Sequence, residues 1–200
     1  MCDADHCVVR DSARHYGMRT ILPLIAIGLA LALPTAASAE LPAGSRAPNF
    51  TARGALGGKP FTVNLAQALK RGPVVLYFYP KAFTQGCTLE AHAFAEATAD
   101  FRAAGATVIG LSNDDFPTLQ RFSKEECRDK FAVASATPAV VKAYDVDLVR
   151  DGKSTGYTKR TSYVIGQDGR IKLVHSDMDY KDHVRATLAA VQAMKGKKKV

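Results

Sequence analysis

Tryptophan is absent from this sequence, and cysteine occurs only four times in 200 residues. No two cysteines have the CxxC spacing that is typical of structural zinc sites and of dithiol oxidoreductases. The sequence also contains no internal repeats. These absences disfavour a metal centre and a repeat array, and we expect neither a metal nor a cofactor.

Acidic residues are in deficit, since 19 Asp and Glu stand against 27 Lys and Arg, and the formal net charge is +8. Half of that excess is a C-terminal run that contains Lys195, Lys197, Lys198 and Lys199. Aromatic residues are not interleaved with these lysines. We therefore expect a solvated basic tail and no nucleic acid as a partner.

Charge is missing altogether from Thr20 to Ala39, directly after Arg19. The stretch ends in Ala37-Ser38-Ala39, a small-residue cleavage pattern, and the combination is typical of a secretory signal peptide. Pro34 shortens its strongly apolar part, which disfavours a permanent transmembrane helix. The sequence thus predicts export, to a bacterial periplasm, with no stable membrane insertion after cleavage.

These features divide the chain into four segments. Cleavage after Ala39 would leave 200 − 39 = 161 residues, which is one domain by length and enough to bury a sizeable core. The predicted segments are an upstream extension at 1–17 that translation does not include, a signal peptide at 18–39, a folded domain at 40–194 and the basic tail at 195–200.

Two cysteines, Cys87 and Cys127, remain after such a cleavage, because Cys2 and Cys7 lie in the removed part. An even pair of cysteines in an exported protein favours a disulfide. His92 lies near Cys87 but has no companion ligand set, so we interpret it as a helix-surface or hydrogen-bonded histidine.

Cys87 follows a predicted buried strand, Val74–Phe78, which Pro80 ends. Beyond it, apolar residues recur at helical spacing, so Cys87 falls in the first turn of a helix. Free backbone N–H groups and the helix dipole stabilise an anion there and favour a nucleophilic thiolate. The alternative interpretation is an inert, buried structural cysteine. The apolar positions of this helix are Leu89, Ala93, Phe94, Ala97, Phe101 and Ala104.

The pattern Pro-x-x-x-Thr-x-x-Cys, formed by Pro80, Thr84 and Cys87, resembles the active-site signature of the peroxiredoxins. Its flanking residues, 75–81 and 87–90, are most similar to the peroxiredoxin Q or bacterioferritin comigratory protein branch of the AhpC/TSA superfamily. The resemblance extends from about Leu41 to the last helix.

The resemblance implies an α/β, thioredoxin-like fold in which helices flank a central mixed sheet, with an N-terminal peroxiredoxin extension. A strand at Thr107–Ser112 completes a β-α-β unit with the strand before Cys87. Asp168-Gly169 predicts a hairpin between two alternating apolar runs. The remaining expectations are a helix at 65–69, a helix that carries Leu119, Phe122 and Cys127, a strand at 131–134, a helix at 138–144, a polar loop at 151–156, hairpin strands at 159–165 and 171–175, and a C-terminal helix.

The family also supplies roles for residues around Cys87. Arg160, just ahead of a hairpin strand, matches the position of the catalytic arginine, whose permanent charge favours the thiolate. Thr84 would hold the peroxide with Arg160, and Pro80 would shield the sulfur. Glu90, one turn beyond the cysteine, would orient Arg160.

The implied reaction is attack of the Cys87 thiolate on hydrogen peroxide or an organic hydroperoxide, which leaves a sulfenic acid. Cys127 is the candidate resolving cysteine, because the position five residues after Cys87, where many members of the branch carry it, is His92. The resulting disulfide would be recycled by a thioredoxin-like dithiol. The resemblance implies a monomer or weak dimer.

Three alternatives stay open at this point. The first is a one-cysteine peroxidase, in which Cys127 is a buried core residue. The second is a thiol-disulfide oxidoreductase of the same fold, which would normally show the CxxC motif that this sequence lacks. A non-enzymatic disulfide domain, used for binding or as a chaperone, predicts that peroxide leaves both thiols unchanged.

We predict that translation starts at Met18 and that the exported protein begins at Glu40. Mass spectrometry of the native protein should therefore find Glu40 as its N-terminal residue. Peptides from upstream of Met18 would contradict the first part of this prediction, and a retained 18–39 segment the second.

Overall fold

The computed structural model describes residues 40–196. The predicted upstream extension, the signal peptide and the last four residues of the basic tail lie outside the described residues. Fifteen elements follow one another along the described part. They are β1 Thr51–Leu56, β2 Lys59–Asn64, α1 Leu65–Arg71, β3 Val74–Phe78, α2 Gln85–Glu96, α3 Thr98–Ala103, β4 Thr107–Ser112, α4 Phe116–Glu125, β5 Ala132–Ser135, α5 Pro138–Tyr144, β6 Asp147–Arg150, β7 Lys153–Thr158, β8 Thr161–Ile165, β9 Ile171–Ser176 and α6 His183–Gly196.

A seven-stranded mixed sheet with the order β2-β1-β5-β4-β3-β8-β9 forms the centre. Strands β3, β4 and β5 run parallel, whereas β8 pairs antiparallel with β3 and with β9. All five residues of β3 are buried, as its continuous apolar run predicted. The predicted α/β fold with a central mixed sheet is confirmed.

Each face of the sheet is covered by its own apolar cluster. Val74, Leu76 and Phe78 point into one cluster, where α1 and α5 pack, and Val75 and Tyr77 point into the other. This alternation is the two-residue period of a strand that is buried on both faces. The second cluster lies beneath α2, α3, α4 and α6, and it contains both Cys87 and Cys127.

The helix predicted from the apolar spacing after Cys87 is two helices in the structure. Helix α2 ends at Glu96, Ala97 has φ −79° and ψ −1°, and α3 begins at Thr98. The Thr98 hydroxyl donates to the Phe94 carbonyl at 2.8 Å, a side-chain bond of the kind that bends helices. Helical spacing alone does not reveal such a break.

Two further expectations are wrong. The predicted polar loop at 151–156 belongs to the β6–β7 hairpin, whose turn residues Asp151 and Gly152 have φ of 50° and 72°. Asp-Gly is a favoured dipeptide for such a turn, but the solvated β7 strand lacks an apolar face that would have revealed it. Cys127 lies beyond α4, which ends at Glu125. The chain leaves that helix because Arg128 and Asp129 adopt left-handed conformations, with φ of 50° and 58°.

No helix within residues 40–196 is long and apolar enough to cross a membrane. Across the same residues, no group of three or more His, Cys, Asp and Glu side chains could hold a metal ion.

Gly110 gives a direct test of the packing between β3 and β4. A Cβ at this position would lie 2.8–2.9 Å from ring atoms of Tyr77, which is buried and stacked on Phe94 with ring centroids 4.4 Å apart. Gly110→Ala should therefore lower the free energy of unfolding by about 1–3 kcal/mol in urea denaturation, because the ring has to shift within a packed layer.

The double variant Gly110→Ala/Tyr77→Leu provides the control, since a shorter side chain removes the clash. Its loss should be smaller than the sum of the two single losses. Strictly additive losses would contradict the proposed contact.

Candidate active site

Cys87 is the third residue of α2, at the carboxyl end of β3. The first helical hydrogen bond runs from the Thr88 N–H to the Thr84 carbonyl, at 2.9 Å, so the N–H groups before it have no partner within the helix. The loop that leads into α2 is held by Asp114, which accepts from the Ala82 N–H and from the Ser112 hydroxyl, both at 2.7 Å. This anchorage holds the start of the helix that carries the thiol, which is itself only 1% exposed.

Sheet pairing brings Arg160 to the same place. Phe78, the last residue of β3, pairs with Thr161, the first residue of β8. The residues that follow β3 and precede β8 therefore meet at one edge of the sheet. Arg160 and Cys87, which are 73 positions apart in the sequence, are in contact for this reason.

The Arg160 guanidinium uses all three of its nitrogens. Nη2 donates to Cys87 Sγ at 3.4 Å, Nη1 donates to Glu90 Oε2, and Nε donates to the Met178 carbonyl at 3.0 Å. Burial lowers the pKa of Arg160, but the facing Glu90 and Cys87 more than offset this and hold it above its usual range. A permanent, oriented cation thus lies within hydrogen-bond distance of the sulfur.

Gly86 leaves room for this contact. A Cβ there would come within 3.2 Å of Arg160 Nη2, closer than most side-chain contacts. The small residue directly before Cys87 therefore lets the guanidinium approach the first turn of α2.

Glu90 is fully buried, and its carboxyl group competes with Cys87 for the same guanidinium. Burial raises the pKa of Glu90 to about 8, because the charge and hydrogen bond of Arg160 only partly compensate for the loss of water. A large fraction of Glu90 is therefore protonated near neutral pH.

Two residues that the sequence interpretation missed, Ser162 and His183, complete the cluster. His183, the first residue of α6, lies with Nδ1 2.8 Å from Ser162 Oγ and 3.7 Å from Glu90 Oε1. Burial lowers the pKa of His183 to about 4. One signal could have found it: His183 stands four and eight residues before Thr187 and Val191, on the face that α6 buries.

The other predicted site residues are placed less directly. Thr84 is the N-cap of α2, is exposed, and donates its hydroxyl to the Lys81 carbonyl at 2.9 Å. Pro80 is half-buried at the start of the loop. Both flank Cys87 in the chain, whereas Cys87, Glu90 and Arg160 are joined by hydrogen bonds.

Cys127 is a second free thiol, and it is fully buried. Burial, with a smaller effect from Glu126, raises its pKa well above the usual range. The residues on either side of it are bound to α2. His92 Nε2 lies 2.6 Å from Glu126 Oε2, and Arg128 donates to Glu96 at 3.2 Å.

These two links show where Cys127 lies relative to Cys87. His92 and Glu96 follow Cys87 by five and nine residues, so they lie about 7.5 and 13.5 Å further along α2 at 1.5 Å per residue. The turn that carries Cys127 is therefore fastened alongside α2, some two turns beyond the first thiol.

The raised pKa of Glu90 predicts a pH dependence of stability. In the folded state this carboxyl holds its proton up to about pH 8, and in the unfolded chain it loses it near its model value of 4.5. The folded state thus binds more protons in between, and stability falls as pH rises through this window. The lowered pKa of His183 acts oppositely below 6.5, so the measurement belongs between pH 6.5 and 8.

Urea denaturation in a Cys87→Ser background should show a loss of up to about 1.4 kcal/mol per pH unit in this range. Glu90→Gln should flatten the slope, and Glu125→Gln, which changes an exposed carboxyl, should leave it unchanged. Equal slopes in all three proteins would contradict the assignment.

The chain is similar to known proteins in both sequence and fold. Residues 43–174 match the model of the AhpC/TSA family. The chain is 34% identical over 152 residues to the chloroplastic peroxiredoxin Q of Oryza sativa subsp. japonica. The aligned region covers 76% of this chain and 67% of that protein.

Two solved structures extend the likeness to the fold. Peroxidoxin BcpB from Mycobacterium tuberculosis is 30% identical, with a TM-score of 0.68 over 76% of this chain and 97% of its own. The bacterioferritin comigratory protein of Xanthomonas campestris, whose structures address alkyl peroxide reduction, is 27% identical, with a TM-score of 0.63 over 72% of this chain and 91% of its own. The chain therefore belongs to the AhpC/TSA family, in its peroxiredoxin Q and bacterioferritin comigratory protein branch, and is a thiol peroxidase.

Proposed function

We propose that the protein reduces hydrogen peroxide and organic hydroperoxides through a sulfenic acid on Cys87. The observation that carries this proposal is the Arg160 Nη2 donor 3.4 Å from Cys87 Sγ, at the open N-terminus of α2. In the reaction the thiolate sulfur attacks one peroxide oxygen, an S–O bond forms and the O–O bond breaks. The leaving oxygen departs as hydroxide or alkoxide and takes up a proton.

The first turn of α2 supplies the electrostatic part of catalysis. Negative charge moves from sulfur to the leaving oxygen, and the donors around Cys87 are already oriented before the reaction. Donors fixed in this way stabilise developing charge without reorganising. We assign this role to Arg160, the first N–H groups of α2 and Thr84, whose hydroxyl would turn from the Lys81 carbonyl to the peroxide. Pro80 would shield the sulfur from water and over-oxidation.

A cavity beside Arg160 supports substrates with an apolar part. It has a volume of about 360 Å³, Cys87 is not part of its lining, and Leu148, Val149 and Met178 contribute apolar side chains beside charged ones. Apolar lining beside a cationic anchor suits an alkyl hydroperoxide, whose polar end would face the guanidinium.

We assign Cys127 as the resolving cysteine, in the protein's own chain. A disulfide requires Cα atoms within about 7 Å, and the turn that carries Cys127 is fastened to α2 roughly two turns beyond Cys87. The first turn of α2 has to unwind before the two sulfurs can meet. Condensation of the Cys127 thiol with the sulfenic acid then forms the S–S bond and releases water.

Recycling needs an external dithiol, which we propose to be a thioredoxin-like protein. Six large hydrophobic side chains are exposed among the described residues, and five of them belong to segments around the active site. Such a rim fits the apolar contact surface of a protein partner. The five are Phe83, Leu89, Val149, Tyr157 and Met178.

The second candidate is a one-cysteine peroxidase, in which Cys127 is structural. Its support is the complete burial of Cys127 and its raised pKa, since a neutral thiol reacts slowly. In that case an external thiol would reduce the sulfenic acid directly.

We further propose that the protein acts after export, in the periplasm of a bacterium and as a monomer or weak dimer. The support for export is the leader at 18–39, which the sequence alone suggests.

Intact mass after one equivalent of peroxide tests the mechanism on residues 40–200. The wild type should lose about two mass units as two thiols become one disulfide. Cys127→Ser should instead accumulate a trappable sulfenic acid on Cys87, and Cys87→Ser, the matched control, should not react. Sulfenic acid on Cys87 in the wild type as well would assign Cys127 to the core. A lack of reaction in every protein would overturn the peroxidase mechanism.

A further inference from the structure

Arg160 is one cation that serves two acids. Cys87 Sγ and Glu90 Oε2 accept from different nitrogens of the same guanidinium, and both side chains are buried. If both were ionised, two negative charges would share one positive charge with little water nearby. Ionisation of one group therefore disfavours ionisation of the other, and a thiolate on Cys87 is favoured when Glu90 holds a proton.

The structure indicates which oxygen of Glu90 carries that proton. Oε2 accepts from Arg160, whereas Oε1 is buried and has no hydrogen-bond partner. A buried carboxyl oxygen without a partner is costly, and it is the free position for a proton. Oε1 faces Nδ1 of His183 at 3.7 Å.

The hydrogen bonds of His183 prepare Nδ1 to accept. Its Nε2 lies 2.9 Å from the Asp177 carbonyl oxygen, which can only accept, so Nε2 carries the ring proton. Nδ1 of the neutral ring is then an acceptor, and the Ser162 hydroxyl donates to it at 2.8 Å. Nδ1 has a single lone pair, so a proton on Glu90 Oε1 can bind it only when the Ser162 hydroxyl turns away, and a movement of less than one ångström would then bring the two atoms into hydrogen-bond range.

We propose that His183 is a positioning residue for the peroxidatic thiolate, because its Nδ1 accepts the proton on Glu90 Oε1 and so leaves the Arg160 charge to Cys87. This inference rests on the proposed role of Cys87. The step moves one proton from Cys87 Sγ to Glu90 Oε1, with no change in oxidation state. Ser162 acts against the hydrogen bond from Glu90 to His183, because the Ser162 hydroxyl donates to the same Nδ1 atom.

Few other charged or titratable groups face His183. The His175 ring from β9 packs edge-on with centroids 4.5 Å apart, and Asp177 contributes its carbonyl. Arg160 and Glu90 are the charged groups of the cluster itself. The buried ring stays neutral near pH 7, since burial lowers its pKa to about 4. Near pH 7 the His183 ring is therefore a neutral acceptor for the Glu90 proton.

The test measures the rate of Cys87 alkylation by iodoacetamide as a function of pH in the full chain, read by peptide mass spectrometry. His183→Asn and His183→Leu form a matched pair, because they have nearly the same shape and only asparagine keeps an acceptor near the Nδ1 position. The leucine variant should show about tenfold less thiolate reactivity near pH 7, the cost of one lost buried hydrogen bond. The asparagine variant should recover most of it.

Two further variants keep the inference open to contradiction if the leucine variant does not fold. Ser162→Ala should increase the thiolate fraction, because Nδ1 is then free for Glu90, whereas damage to the fold would decrease it. In a Glu90→Gln background, His183→Asn and Ser162→Ala should no longer change the alkylation profile.

The outcomes separate this inference from the proposed function. Equal profiles for the two His183 variants, or a lower thiolate fraction in Ser162→Ala, would overturn the role of His183 while the wild type still reacts with peroxide. A wild-type Cys87 that does not react with peroxide would overturn the proposed function itself.

Discussion

The candidate active site depends on one interaction, the contact of the buried Arg160 guanidinium with Cys87 Sγ. This guanidinium is the only cation in hydrogen-bond contact with Cys87 among the described residues, and it also binds Glu90 and the Met178 carbonyl. A guanidinium held through all three of its nitrogens keeps one orientation, so the donor on the sulfur is fixed before a peroxide arrives. Because the same cation meets two acids, we propose that the charge it offers to a thiolate on Cys87 depends on the proton of Glu90.

The sheet topology brings these groups together. Strand β3 ends at the loop before α2, and its antiparallel partner β8 begins beside that end, so Cys87 and Arg160 meet although they are distant in sequence. Helix α6 then closes the same edge with His183. The loop after β9 supplies the Met178 carbonyl that accepts from Arg160 Nε. Burial of this edge strengthens each electrostatic contact and also raises the pKa of Glu90.

Much of this arrangement is predictable from the sequence, and the exceptions have physical causes. Local patterns predict β3, the Cys87 turn and the strand after Arg160, because apolar periodicity and turn residues act over short distances. The Ser162–His183 contact depends on how β8 and α6 pack, which no local pattern encodes. The sequence does not reveal the turn that carries Cys127, because its left-handed residues, Arg128 and Asp129, are not glycines. The links between α2 and this turn likewise arise only from tertiary packing.

Infrared difference spectroscopy tests the central claim, that Cys87 and Glu90 share one charge. The measurement compares reduced and peroxide-oxidised Cys127→Ser protein, with Glu90→Gln added as the reference. Oxidation replaces the thiolate by a neutral sulfenic acid, so the account predicts that the protonated fraction of Glu90 then falls and that its protonated carboxyl band weakens. The band should be missing from both states of the Glu90→Gln protein. A carboxyl band that is unchanged by oxidation, or identical with and without Glu90, would contradict the account.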